Sequence, residues 1–190
     1  MKHSFIAVLW ACALALGTSA HARVVTLPEA VASKGTVILI RHAIAPGFGD
    51  PDDFRVDACH TQRNLSREGQ AQSQVIGRAF RAAGFKAAPI LSSPWCRCLD
   101  TARLMDVGPV IPFSGLSSFF QSHASEQETM RALRERLSQI APTDPPLVMV
   151  THQVVISALT GVGARSGGAV LYDPRQRTSQ QIEMPKPPYD

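Results

Sequence analysis

VILIRH, residues 37–42, is an apolar run that ends in an arginine and a histidine. A second stretch of the same form, LVMVTH at residues 147–152, follows late in the chain. Runs that are apolar on both faces are typical of central strands in a parallel sheet. The carboxyl ends of such strands meet at one crevice, which is where open α/β sheets bind ligands. We therefore expect His42 and His152 to share one site, with Arg41 beside them.

Helical and strand patterns alternate along the rest of the chain. A long loop over 43–64, rich in Gly, Pro and Asp, separates the first strand from the first helix and is of the kind that often carries function. Alternating strands and helices predict an α/β fold, a three-layer sandwich with a mostly parallel central sheet. The predicted strands are 36–40, 89–92, 110–111, 147–151 and 169–172, and the predicted helices are 66–83, 94–104 and one that begins at the capping sequence of residues 125–128.

The amino terminus has the form of a secretory signal peptide. A positive start is followed by an apolar run over 5–17 and by the small-residue sequence Ala20-His21-Ala22. That run is too short to span a bilayer, and we expect cleavage after Ala22. A lipid anchor on Cys12 is the alternative. The prediction is a signal peptide over 1–22, a domain over 23–175, a polar Pro-rich tail over 176–190, no membrane span in the mature chain, and a periplasmic or secreted location.

The charge of the chain is mildly positive. It holds 19 Lys and Arg against 15 Asp and Glu, so that loss of Lys2 with the signal peptide leaves 18 against 15, a net charge of +3. The arginines are spread along the sequence, whereas nucleic-acid binding would require a clustered basic patch. A modest positive field suits a small anionic substrate. We expect no nucleic-acid partner, and the sequence leaves the oligomeric state open.

Three cysteines remain after cleavage, namely Cys59, Cys96 and Cys98. An oxidising compartment favours one disulfide. Cys96 and Cys98 are too close in sequence to pair easily with each other, so Cys59 is expected to join one of them. A zinc site on the Cys-x-Cys pair is the weaker alternative because no matching ligand pair lies nearby.

Polar and charged residues follow three separate predicted strands. Arg41 and His42 follow the first, Ser93 and Arg97 follow the second, and His152 follows a later one. Two imidazoles, two guanidiniums and nearby helix N-termini form an anion-binding crevice. Phosphoryl transfer needs a site of this kind, with cations for the non-bridging oxygens and a nucleophile in line.

Three sequence signatures, in this order, resemble those of the histidine phosphatase superfamily, which has the phosphoglycerate mutase-like fold. LIRHA at 39–43 resembles the Arg-His-Gly signature, and SSPWCRCLDTA at 92–102 resembles the second, Ser-Ser-Pro-x-x-Arg-x-x-x-Thr-Ala. VTHQ at 150–153 matches the third, the late histidine. The Cys-Arg-Cys variant, with QRNLS at 62–66 upstream, looks like a small exported branch of this superfamily.

The resemblance implies a role for each matching residue. His42 would attack phosphorus and carry a phosphohistidine, while Arg41, Arg97 and His152 would bind the phosphoryl oxygens. A backbone carbonyl would hold the other ring nitrogen of His42. No metal and no cofactor would be required. Arg63 and Asn64 are further candidates for contacts with the substrate, or else they support the loop and the helix start.

The chain also departs from the pattern that it resembles. Many members carry a catalytic Glu where this sequence has Ser118, and others carry an Asp where it has Gln153. The usual proton donor is therefore missing, and the candidates are acidic residues of the long loop, above all Asp50 and Asp57, with Asp52 and Asp53 beside them. Without such an acid, activity would be limited to good leaving groups such as phosphohistidine or aryl phosphates.

The sequence thus predicts an exported, metal-independent phosphoric monoester hydrolase that acts on a small phosphorylated substrate. Three alternatives remain open: a degenerate member that binds phosphate or another anion without turnover, a phosphomutase, and a structural envelope protein whose crevice is vestigial.

Overall fold

The computed structural model describes residues 24–186. The predicted signal peptide lies outside the described residues and stays a prediction. Within 24–186, no helix is long and apolar enough to cross a membrane. The strands are β1 (Val24–Thr26), β2 (Val37–Arg41), β3 (Ile90–Ser92), β4 (Val110–Pro112), β5 (Leu147–Thr151), β6 (Ala169–Asp173) and β7 (Thr178–Glu183). The helices are α1 (Leu27–Ala32), α2 (Arg67–Ala82), α3 (Cys96–Met105), α4 (Glu126–Ser138) and α5 (Gln153–Thr160).

A single sheet with the strand order β1-β7-β6-β2-β5-β3-β4 forms the middle layer. The pairs β2–β5, β5–β3, β3–β4 and β1–β7 are parallel, whereas β6 pairs antiparallel with both β2 and β7. The mostly parallel sheet predicted from the sequence is therefore confirmed. The two histidine-bearing strands, β2 and β5, are direct neighbours at its centre.

Alternate residues of the central strands feed two apolar cores, one on each face of the sheet. Ile38 and Ile40 pack with α1, α2 and α3, whereas Val37 and Leu39 pack with α4 and α5. All four side chains are fully buried. Burial of each such side chain contributes about 1.5–3 kcal/mol, so these strands are the best anchored part of the sheet. The three-layer α/β sandwich predicted from the sequence is confirmed.

The carboxyl-terminal segment differs from its sequence-based prediction. Residues 178–183, assigned to a polar tail, form β7, which pairs with β6 and with β1. Periodicity missed this strand because Ile182 is its only buried residue; the side chains around it are polar and half-buried or exposed. Its partner β1 was likewise absent from the prediction. The tail assignment is wrong for these residues.

A disulfide joins the long loop to the start of α3. Cys59 and Cys96 are bonded, with 5.7 Å between their Cα atoms, and Cys98 is free and buried. The two cysteines are 37 residues apart in sequence, and their bond fixes the loop over 43–64 against the helix that carries Arg97. The loop is therefore tied down on the side where the site lies.

Removal of this cross-link is expected to destabilise the protein. The double substitution Cys59→Ala/Cys96→Ala should lower the free energy of unfolding by about 2–4 kcal/mol, because the open chain gains conformational freedom when unfolded. Urea unfolding measures the difference, and Val56→Ala in the same exposed part of the loop serves as the control. An unchanged free energy of unfolding in the double variant would contradict the prediction.

Candidate active site

His42 and His152 meet at the ends of neighbouring strands. Arg41 lies opposite Thr151 in the β2–β5 register, and the backbone N–H of His42 donates to the Thr151 carbonyl at 2.9 Å. The two imidazole rings are 5.5 Å apart between centroids and meet edge to face. Both side chains are almost fully buried. The strand ends therefore bring the two histidines into one site.

The ring of His42 is held in one orientation by its own backbone. Its Nδ1 lies 2.8 Å from the Ala43 carbonyl oxygen, which can only accept, so Nδ1 carries the proton and Nε2 carries the free electron pair. Thr101 Oγ1 accepts from the Ala43 N–H at 3.0 Å and donates to the Arg97 carbonyl at 2.7 Å. Thr101 thus links Ala43, the residue whose carbonyl orients His42, to the helix turn that carries Arg97.

Both imidazoles are neutral in this environment. Burial, followed by the positive charge of Arg97, lowers the pKa of His42 to about 3, although the Ala43 hydrogen bond opposes the shift. Burial and the same cationic surroundings lower the pKa of His152 well below its ordinary value. A neutral imidazole with an oriented electron pair on Nε2 is a competent nucleophile at neutral pH.

His152 is positioned by the second signature. Its Nδ1 lies 3.5 Å from a terminal nitrogen of Arg97, which can only donate, so Nδ1 is the acceptor. Its Nε2 therefore carries the proton and donates to Ser93 Oγ at 2.9 Å. The Cys98 thiol lies 3.5 Å from the same Nε2. Both rings are fixed, and neither is free to rotate without breaking a hydrogen bond.

Arg97 forms a buried two-point ion pair with Asp50. Its two terminal nitrogens lie 2.6 and 3.1 Å from the two Asp50 oxygens. Asp50 also accepts from the Arg63 backbone N–H at 3.0 Å and from the Trp95 indole at 3.2 Å. Burial by itself would raise the pKa of Asp50, but these donors and the Arg97 charge bring it below its usual range. Asp50 is thus an ionised counterion for Arg97.

Arg41 and Arg63 complete the cationic cradle, which we define as Arg41, Arg63 and Arg97. Arg41 donates to the Ala164 carbonyl at 3.0 Å, and Arg63 donates to the carbonyls of Gly49 and Ala45. The buried Nε–H groups of Arg41 and Arg97 have no partner among residues 24–186. Buried donors are normally paired, so the cradle is short of acceptors. Its three positive charges face one buried carboxylate, which leaves an excess that favours an anion.

The cradle and the two histidines line a cavity of about 420 Å³. The cavity is also lined by Ser118 and Gln153. These are the two positions at which the family resemblance implies an acidic residue. The Gln153 amide accepts from the Ala164 N–H at 2.9 Å and donates to Ser157 at 3.0 Å, so it positions Ala164, the residue whose carbonyl accepts from Arg41. No Asp or Glu of the described part of the chain lines the cavity.

Several candidates from the sequence lie elsewhere. Asp57 is exposed and pairs with Arg55, and Asp52 and Asp53 are exposed outside the cavity lining. Asn64 donates to the carbonyls of Cys59 and Gln62, so it braces the loop and lies outside the cavity. With Asp50 committed to Arg97, the hypothesis that a loop acid faces His42 is wrong for this structure.

Two positioning residues were not assigned such a role from the sequence. Ser93 holds His152, and Thr101 holds the Ala43 peptide. Both belong to the second signature, so their place in the motif was the available signal. Their partners lie in other strands, and a single sequence does not reveal those contacts.

Solved structures with this architecture include enzymes of phosphoryl chemistry. A protein of Agrobacterium tumefaciens, provisionally named as the phosphohistidine phosphatase SixA, is 19% identical with a TM-score of 0.54, over 80% of this chain and 99% of that one. Phosphoserine phosphatase of Entamoeba histolytica is 14% identical with a TM-score of 0.53, over 80% and 96%. Phosphoglycerate mutase of Plasmodium falciparum is 14% identical with a TM-score of 0.50, over 82% and 94%.

No family model and no curated protein sequence matches the chain. The likeness to solved structures therefore establishes the fold, which is that of phosphoglycerate mutase and of the phosphatases that share it. The fold that the three signatures predicted is confirmed.

The buried neutral histidines make stability depend on pH. Below pH 6.5 the unfolded chain protonates His42 while the folded protein does not, so the unfolded state binds more protons. The free energy of unfolding should therefore rise with pH between about 3 and 6.5 and lose this dependence above 6.5. The share of His42 is about 1.4 kcal/mol per pH unit.

Urea unfolding at several pH values, for the wild type and for His42→Asn, measures that share. The slope below pH 6.5 should be shallower in the variant. Equal slopes in the two proteins would show that His42 titrates alike in the folded and unfolded states.

Proposed function

We propose that this protein is a phosphatase that hydrolyses a phosphomonoester or a related phosphoryl compound through a phosphohistidine on His42. One observation carries the proposal: a neutral imidazole with its Nε2 electron pair free lies in a cavity lined by three guanidiniums. The structures that share the fold are named as phosphatases and as a mutase, and these names agree with phosphoryl chemistry.

The first step is attack by His42 Nε2 on phosphorus. The N–P bond forms as the bond to the leaving group breaks, and the leaving group departs with the electron pair. Arg41, Arg63 and Arg97 stabilise the negative charge on the three non-bridging oxygens, as fixed cations in a water-poor site do best. Because Asp50 fixes two nitrogens of Arg97, this charge is in place before the substrate arrives.

The second step is hydrolysis of the phosphohistidine. A water molecule attacks phosphorus from the side that the leaving group vacated, the N–P bond breaks, and His42 regains its electron pair. The water proton passes to phosphate or to solvent. The Ala43 carbonyl keeps the His42 ring in place throughout, so the same Nε2 serves both steps. His152 contributes a second polar ring beside the phosphoryl group.

The lack of a carboxylate in the cavity bears on the substrate. No Asp or Glu within 24–186 lines it, and Ser118 and Gln153 are poor proton donors at neutral pH. A leaving group that needs protonation in the transition state would therefore react slowly. The proposed substrates are phosphoryl compounds whose leaving group departs readily, such as aryl phosphates or phosphohistidine.

We also propose that the protein is exported, as the amino-terminal sequence predicts. The Cys59–Cys96 disulfide supports this, because structural disulfides persist in oxidising compartments. A second candidate function, anion binding without turnover, is favoured by the same lack of a carboxylate.

Substitution of His42 separates turnover from binding. The wild type should hydrolyse 4-nitrophenyl phosphate, and His42→Ala should lower kcat by at least about a thousandfold, because the nucleophile acts in the chemical step. Phosphate binding, measured by calorimetry, should persist in His42→Ala because the cradle is intact.

The folded state of the variant is checked by its urea unfolding curve. Equal hydrolysis rates in the two proteins would overturn the phosphohistidine route. If the wild type binds phosphate tightly but does not hydrolyse 4-nitrophenyl phosphate, that result would favour the anion-binding candidate.

A further inference from the structure

Two phenylalanines stand at the edge of the cavity, exposed to water. Phe48 is 90% exposed and Phe120 is 37% exposed, and both line the same cavity as His42. Their ring centroids are 5.1 Å apart and the rings meet edge to face. The other large exposed apolar residues of the described chain, Val24, Val56 and Ile111, lie outside the cavity lining. We call Phe48 and Phe120 the aromatic rim.

The aromatic rim is held in place at some conformational cost. Gln121, next to Phe120, has a left-handed backbone with φ 59°, which is strained for a residue other than glycine. Its side chain accepts from the Asp50 N–H at 2.7 Å and donates to the Asp50 carbonyl at 3.3 Å. Strained backbone of this kind persists where surrounding contacts enforce it, and it clusters at functional sites.

The same contacts connect the rim to the cradle. Gln121 is hydrogen-bonded to the backbone of Asp50, and the Asp50 side chain pairs with Arg97. Asp50 therefore connects the loop that carries Phe48 to the Arg97 guanidinium. Phe48 itself lies between Gly47 and Gly49, both with positive φ. The φ of Gly49, +71°, favours glycine, and a Cβ there would lie 2.6 Å from the Gln121 amide oxygen and displace that side chain.

We propose that the aromatic rim binds an aromatic ring on the leaving group, and that the substrate is an aryl phosphate monoester, with its phosphate on a phenolic oxygen. This inference rests on the proposed function and narrows it. Two independent features select the same compound. No Asp or Glu of residues 24–186 lines the cavity, so the leaving oxygen departs as its anion, which phenols tolerate far better than alcohols. The Phe48 and Phe120 rings at the mouth of the cavity can make edge-to-face or stacked contacts with an aromatic ring of the substrate.

The bonds balance with water as the one co-reactant. The His42 Nε2–P bond forms as the P–O bond to the aryl group breaks, and the phenolate leaves with the electron pair and takes a proton from solvent. Water then releases phosphate. Because the ring stays against the rim in both the bound substrate and the transition state, the rim should act mainly through KM and little through kcat.

Steady-state kinetics on two substrates tests the assignment. Phenyl phosphate carries the ring, whereas phosphoramidate has no ring and a nitrogen leaving group that needs no carboxylate. Phe48→Ala and Phe120→Ala should each lower kcat/KM for phenyl phosphate about five- to tenfold, through KM, and leave phosphoramidate within about twofold. Phe48→Trp should retain the preference for phenyl phosphate. Val56→Ala, an exposed apolar residue of the same loop outside the cavity, is the matched control and should change neither.

Equal losses on both substrates, or no loss on phenyl phosphate, would overturn the role of the rim. Binding gives a second measurement that does not depend on turnover. The wild type should bind phenylphosphonate at least about fivefold more tightly than methylphosphonate, and Phe48→Ala should lose that preference. Equal affinities in the wild type would also overturn the inference. If phosphonates bind with the predicted preference but neither substrate is hydrolysed, the proposed function fails and the rim remains.

Discussion

Parallel pairing of β2 with β5 places both histidines at one edge of the sheet. The register places Arg41 opposite Thr151 and continues through the hydrogen bond from His42 to Thr151. A slip of one residue would exchange the two faces of a strand whose residues feed separate cores. Packing of Ile38 and Ile40 into one core, and of Val37 and Leu39 into the other, holds β2 in the register that places the histidines.

The Arg97–Asp50 ion pair orients one of the three guanidiniums that line the cavity. A buried ion pair such as Arg97–Asp50 contributes little net stability, since desolvation of two charges offsets their attraction. Its consequence here is orientation, because a two-point pair holds the guanidinium beside His152. Asp50, the one buried carboxylate of residues 24–186, does not neutralise the remaining charges of Arg41 and Arg63. Burial, reinforced by the nearby positive charges, keeps both imidazoles neutral, and the excess of positive charge favours an anion in the cavity.

The sequence was informative where local pattern and geometry coincide. Apolar runs ending in Arg41-His42 and Thr151-His152 predicted the strand ends, and the signatures predicted the fold. It was uninformative where a residue's role depends on a distant partner. In the sequence, Asp50 is one of four acidic residues in the loop over 43–64. Its contact with Arg97, 47 residues away, distinguishes it from Asp57, which pairs with Arg55. The rim was missed for a related reason, because a loop conformation and not a periodic pattern brings Phe48 to Phe120.

The proposed phosphohistidine route requires that His42 Nε2 becomes covalently bonded to phosphorus during turnover. Rapid mixing of the protein with an aryl phosphate, a quench in alkali that preserves phosphohistidine, and peptide mass spectrometry test it most directly. We expect a transient phosphoryl group on the peptide that contains His42, formed no more slowly than the phenol appears. Release of phenol with no phosphorylated peptide at any time, or a phosphoryl group on another residue, would contradict it.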